Sequence, residues 1–313
     1  MKIALVHNAK FPVKGYGGTE RVVSWLAKGL CERGIEVVLS CAPDSQCPYA
    51  KVVPFNEKIY TELACDVVHY FNTPPEIPDY PHLVTLGGNG KVGENYSINT
   101  VFVSQNHAYR HGASAFVYNG LDPDEYIFEK DRDKYLVFLA KASWSVKNVK
   151  GAVRIARKSH RSLHIMGGSR KFFNGWRDVF WEGMVDGEVK AKWLSKAAGL
   201  LFPVLWHEPF GIAVVEALVS GAPVIATPFG SLPELVNSQV GKICLSEAEM
   251  VEAVSHLDRY SSTVCRDWAL SKFHYKLMVD KYISYYEKVL NRNTLNKILP
   301  MVTAPTGQLF EFK

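Results

Sequence analysis

The 313-residue sequence contains no run of about 18 apolar residues, so no segment is expected to span a bilayer. Its opening stretch, Met1 to Asn8, reads as a strand and lacks the order of charged, apolar and small residues that marks a secretory leader, so a cytoplasmic setting is expected. The six cysteines at 31, 41, 47, 65, 244 and 265 form no Cys-x-x-Cys pair and no regular framework. Reduced thiols fit that distribution, and structural zinc does not. Lysines and arginines are scattered, with no long basic run or basic helix, so a nucleic-acid partner is not expected. The formal charge of +5 is mild. It suits an anionic substrate or an acidic membrane surface, which leaves peripheral contact with the inner membrane face open.

What is present is ordinary globular material: 47% hydrophobic and 21% charged residues, enough for two cores in a chain of this length. Short β-rich apolar runs alternate with helical stretches, the pattern of parallel sheets built from βαβ units. In the first half, strands are expected over residues 2–8, 35–42, 66–71, 82–86, 100–103 and 115–118. A helix over 19–33 is expected to start with Thr19 as N-cap. A charged, turn-rich segment, 119–134, breaks the pattern. Strands resume at 135–140, 162–166, 199–205, 223–227 and 240–245, with helices between them and a closing helix over 265–291. The expected division is 1–125 and 126–275 as two doubly wound α/β domains. Residues 276–313 form a helix and tail that return towards the first domain.

The densest chemistry lies in His207-Glu208-Pro209-Phe210-Gly211-Ile212 and the helix that follows. A strand leads in and a helix leads out, and open α/β sheets bind ligands at such strand ends. Gly211 admits close backbone approach, and first-turn amides can donate to hydroxyl or phosphate oxygens. Glu216 is the only charged side chain from Pro209 to Gly221 and must find a donor elsewhere. A ribose diol would supply two; a lysine or arginine from another segment is the alternative. Lys141 and Lys147, on the loop after the first strand of the second domain, can reach opposite oxygens of one diphosphate. There they could stabilise charge that grows on a leaving group; a solvated lysine pair on a loop is the alternative. The glycines of Gly15–Gly18 either serve a tight turn or, as read here for Gly17 and Gly18, let a loop close over that diphosphate. A dinucleotide site would need G-x-G-x-x-G, a spacing this loop lacks. Tyr282, Tyr285 and Tyr286 form a helical stripe suited to docking the last helix.

Two glutamates eight positions apart, 208 and 216, around Pro-Phe-Gly resemble the signature of retaining glycosyltransferases of family 4, which have the GT-B fold. The loop Gly15 to Glu20, the turn Asn119 to Asp122, the segment Trp181 to Val185 and the run from Ala197 to Val236 follow that family's order and spacing. The resemblance implies two Rossmann-like domains facing across a cleft. It implies that Glu216 binds the ribose, that Glu208 contacts the transferred sugar, and that the backbone of Phe210, Gly211 and Ile212 holds sugar and diphosphate. Met184 and Val185 would border the base.

Two departures stand out. The family's usual arginine is Lys141 here, which keeps the charge and loses the bidentate fork. Where many relatives carry a histidine after the strand 82–86, this chain has Gly87. The implied activity is transfer of a sugar, with retention, from a nucleoside-diphosphate sugar, UDP foremost, to a hydroxyl of a saccharide, lipid-linked or small-molecule acceptor. No cofactor or metal is expected, because the lysines take the leaving charge and no Asp-x-Asp pair sits at a strand end facing the site. A nucleotide-sugar-binding protein with weak or lost transfer is the alternative.

Overall fold

The computed structural model describes residues 1–15, 17–56, 59–60, 64–168, 178–302 and 309–312. Tyr16 of the glycine loop and the aromatic positions Phe172, Phe173 and Trp176 lie outside them. The chain divides into two compact units, Met1–Leu121 with Phe273–Thr306, and Asp122–Lys272 with Gly307–Lys313.

The first unit is built on β1 (Lys2–Val6), β2 (Glu36–Cys41), β3 (Lys51–Pro54), β4 (Val67–Tyr70), β5 (His82–Leu86) and β6 (Thr100–Phe102). All pair in parallel, in the order β3-β2-β1-β4-β5-β6. The inner strands are mostly apolar and buried, as expected of a parallel sheet covered on both faces, with Ser40, His69, His82 and Thr85 as buried polar exceptions. Helix Gly18–Glu32 buries Val22, Val23, Leu26 and Leu30 at three- and four-residue spacing. Its Gly29 admits the last helix, Tyr275–Leu290, since a β-carbon there would overlap Val279.

That last helix docks through the tyrosine stripe. Tyr282 and Tyr286 are fully buried, and both end on polar atoms of the sheet. The Tyr282 hydroxyl lies 2.9 Å from Thr85 Oγ1, which is 2.7 Å from His69 Nε2, and His69 Nδ1 is 2.8 Å from the Tyr286 hydroxyl. A continuous buried polar chain therefore pins the helix to β4 and β5, and every member is satisfied.

The second unit holds β7 (Leu136–Leu139), β8 (Leu163–Met166), β9 (Val179–Gly183), β10 (Gly199–Phe202), β11 (Val224–Ala226) and β12 (Gly241–Ile243). Again all are parallel, in the order β12-β11-β10-β7-β8-β9. Each sheet therefore reverses its winding once, between β1 and β4 in one unit and between β7 and β10 in the other. Loops leaving those strands diverge and open a crevice at their carboxyl ends.

Three local expectations are corrected. Helix Gly18–Glu32 has Gly17, not Thr19, at its N-cap, and no side chain caps it. The segment 115–118 makes only a bridge from Phe116 to Phe102. The closing helix is two helices, Ser262–Phe273 and Tyr275–Leu290, parted at His274, whose backbone is extended (φ −66°, ψ 134°). There Leu121 N donates to Phe273 O and Tyr275 N donates to Leu121 O, which satisfies the peptide groups exposed by the break. Among the described residues no helix is long and apolar enough to cross a membrane.

Candidate functional site

The carboxyl ends of β7 and β10 bring together most of the residues singled out in the second half of the sequence. After β7 the chain passes Lys141 and closes a single 3-10 turn, Ser145–Lys147. Asn148 then adopts a left-handed conformation (φ 55°) and caps helix Val149–Lys158 by accepting from Gly151 N at 3.0 Å. The same side chain donates to Pro203 O, just past β10, at 3.0 Å. Leu205 N donates to Val146 O at 2.8 Å. The two loops are thereby laced together, and Lys147 is carried to the exit of β10.

Lys147 Nζ lies 2.6 Å from Glu208 Oε2, with both side chains more than 90% buried. Trp206 Nε1 donates to that same oxygen at 2.7 Å, and Lys147 Nζ stands 4.8 Å above the Trp206 ring. Neither charge would be tolerated alone at this depth; as a pair, with indole and ring face added, they are. Both of these donors fall on Oε2. Lys141 is half-buried, with its Nζ 4.8 Å from the Trp144 ring centre.

The backbone around Glu208 is braced from β11. Residue 208 bridges Gly230, Ser231 N donates to Glu208 O at 2.9 Å, and the Ser231 hydroxyl donates to Phe210 O at 2.6 Å. Gly230 has φ 71°, and a β-carbon there would overlap the Glu208 peptide. Gly211 (φ 93°) is the N-cap of helix Ile212–Val219, which presents its first-turn amides at the sheet edge.

Glu216, on that helix, is buried and finds donors inside the unit. Lys190 Nζ is 2.5 Å and the Tyr126 hydroxyl 2.7 Å from its Oε1. Of the two alternatives for this carboxylate, a cation from another segment is therefore present. Met184 and Val185 follow β9, Met184 exposed and Val185 half-buried. They adjoin Gly183, whose carbonyl accepts from Gly167 N at 2.8 Å. Gly167 itself has φ 129°, and a β-carbon there would overlap the Ala140 carbonyl next to Lys141.

Gly17 and Gly18 belong to the first unit: Gly17 closes the loop that leaves β1, and Gly18 opens helix Gly18–Glu32. The space a Gly17 β-carbon would need is taken by the Val13 side chain and the Glu20 carboxylate, which gives this glycine a packing reason of its own. Glu20 also lies 3.9 Å from His7 Nε2, and the neighbouring ring lowers the pKa of its carboxyl. Gly87 follows β5, and among the described residues a β-carbon there would meet only the Thr19 hydroxyl, at 3.4 Å.

Four residues of the site were not singled out by the sequence: Trp206, Asn148, Lys190 and Tyr126. Trp206 is two residues from Glu208 and Asn148 adjoins Lys147, so adjacency could have flagged both. Lys190 is 26 residues and Tyr126 90 residues from Glu216, and nothing in their own segments marks them.

Residues 133–259 match the family model described as glycosyl transferases group 1. The second unit is a group 1 glycosyltransferase domain. Lys141, Lys147, Glu208, Gly211 and Glu216 all lie inside the matched residues of this group 1 domain. An uncharacterized glycosyltransferase of Methanocaldococcus jannaschii is 23% identical over 185 residues, covering 50% of this chain and 46% of that protein. The chain spans 32% and 46% of the length of the two curated relatives it matches. Among solved structures, AviGT4, a glycosyltransferase involved in avilamycin A biosynthesis, superposes with a TM-score of 0.79 at 24% identity. That match covers 94% of this chain and 99% of AviGT4. Anabaena HepE, solved with UDP and glucose, gives a TM-score of 0.67 at 14% identity, covering 92% and 100%. Around the group 1 domain, then, the whole chain has the GT-B fold of two doubly wound parallel sheets.

Proposed function

We propose that this chain is a retaining glycosyltransferase that moves a sugar from a nucleoside-diphosphate sugar to a hydroxyl of a saccharide, lipid-linked or small-molecule acceptor. The observation that carries the reading is the buried Lys147–Glu208 pair at the reversal point of the second sheet, beside the amide-bearing helix start at Gly211. An ammonium has three donors, and Glu208 uses one. The others, with Lys141 and the first-turn amides, suit a diphosphate whose charge rises as the bond to the sugar breaks. Glu208 Oε1 accepts a hydroxyl of the transferred sugar, so one carboxylate orients the sugar while steadying the lysine. Glu216, held by Lys190 and Tyr126, binds the ribose. In the transfer, the bond from the anomeric carbon to the diphosphate oxygen breaks and a bond to the acceptor oxygen forms on the same face. The acceptor's proton passes to a phosphate oxygen of the donor. UDP is the favoured nucleotide, a preference supported by the UDP complex of HepE.

Incubation with labelled UDP-, GDP- and ADP-sugars and a panel of acceptors tests this, with melting temperature followed alongside, since a ligand bound only by the native state raises it. Product retaining the donor's anomeric configuration is expected. Stabilisation by a donor without product would make the chain a nucleotide-sugar-binding protein. Neither stabilisation nor product would sink the proposal.

A further inference from the structure

Beyond the last helix, the chain's closing residues return to the second unit and end against the loop that carries Glu208. Phe310 stacks on Phe229 (ring centres 4.3 Å apart, 25° between planes) and meets His207 edge-on at 4.6 Å. Its backbone N donates to Leu205 O at 2.8 Å. Leu205 N in turn donates to Val146 O, one residue before Lys147. One peptide of the tail therefore continues a hydrogen-bonded row that ties the two site loops to each other. One aromatic ring fills the angle between His207 and the turn that braces Glu208.

We propose that Phe310 is a positioning residue for the Lys147–Glu208 pair. This rests on the transferase reading of the site. Phe310 hydrogen-bonds to Leu205 and packs on His207 and Phe229, all beside that pair. It fixes the residues on either side of them: His207, which precedes Glu208, and Leu205, which holds Val146. The ring packs against Phe229, which precedes Gly230, and Gly230 bridges residue 208. Without the ring, the 205–211 segment keeps its braces from Ser231 and loses its packing on one side. Sub-ångström loosening of a catalytic pair lowers turnover more than ground-state binding, because alignment is needed most in the transition state. Residues 294–313 show no clear helical or strand pattern, so neither Phe310 nor its neighbour Phe312 stands out in the sequence.

The test compares full-length wild type, Phe310→Ala and Phe310→Tyr by two readouts. Hydrogen–deuterium exchange of the peptide covering 204–211 should quicken in Phe310→Ala and return to wild type in Phe310→Tyr. In donor kinetics, kcat should fall roughly tenfold or more in Phe310→Ala with KM for the donor little changed, and Phe310→Tyr should restore it. Unchanged exchange in 204–211, or a kcat equal to wild type, overturns the proposal. So does a loss expressed wholly in KM. If wild type makes no product with any donor, the transferase reading falls, and the exchange measurement still decides whether the tail orders this loop.

Discussion

Glu216→Ala should unsettle the second unit before it reveals anything about nucleotide binding. The carboxylate and Lys190 are 2.5 Å apart with side chains 5% and 6% exposed. Removing the acid strands an ammonium with no water to receive it, a loss of about 3–5 kcal/mol for a broken buried pair. The Tyr126 hydroxyl also loses its acceptor, worth about 1 kcal/mol. Effects sharing one cluster do not add fully, so about 4 kcal/mol in total is a fair expectation. In a unit of this size that lowers the melting temperature by roughly 10 °C. Replacing both members, Lys190→Met with Glu216→Leu, removes the charges together and should recover most of the loss, because an apolar pair of similar volume is tolerated where half an ion pair is not. Urea unfolding of wild type, the two single variants and the double variant gives the coupling energy directly. UDP affinity measured by calorimetry well below the melting point then tests the proposed ribose role. A Glu216→Ala protein melting within about 2 °C of wild type would refute the electrostatic argument. A double variant that binds UDP as well as wild type would remove Glu216 from the nucleotide site.

Two further outcomes follow from the same structure. Burial pushes the His69 imidazole down to about 3, and burial also lowers His82, His107 and His111 in the same unit. The unfolded chain takes up these protons first, so stability is retained above about pH 6.5 and lost as pH falls below it. His69 alone contributes about 1.4 kcal/mol per pH unit down to about pH 3; urea midpoints that stay flat between pH 7 and pH 5 would contradict this. Under the proposed mechanism, in which Lys141, Lys147 and backbone amides would take the leaving charge, transfer should also survive a strong chelator; activity abolished by chelation and restored by magnesium or manganese would replace that leaving-group chemistry with a metal's.

The inner strands were legible because burial on both faces writes a nearly continuous apolar run into the sequence, as in β1, β7 and β10. The strands that escaped notice, β3 and β9, lie at sheet edges. They are half-exposed, so composition there answers to solvent and turns as much as to the core. Glu208, Gly211 and Glu216 were legible for a related reason: a carboxylate on an apolar helix and a glycine before it stand out locally. What each carboxylate pairs with did not stand out. Lys147 is 61 residues from Glu208, and only the reversal of strand order between β7 and β10 makes them neighbours. Gly17 was read through its place in a loop. Its crowding by Val13 and Glu20 is a matter of packing that no spacing rule conveys.

The polar chain through His69 and Thr85 also sets an order of assembly. The tyrosines that complete it lie 217 and 197 residues further along. A ribosome adding about 5–20 residues per second leaves those two buried groups waiting roughly 10–40 s. In that interval the stretch Asp122–Lys272 emerges whole, carrying all six strands of its own sheet. The first sheet thus waits for its covering helix until after the second sheet is complete, and the tail that braces the second unit's site loop comes later still. A message cut short after residue 272 would yield a finished second sheet joined to a first one whose β4 and β5 still lack their cover.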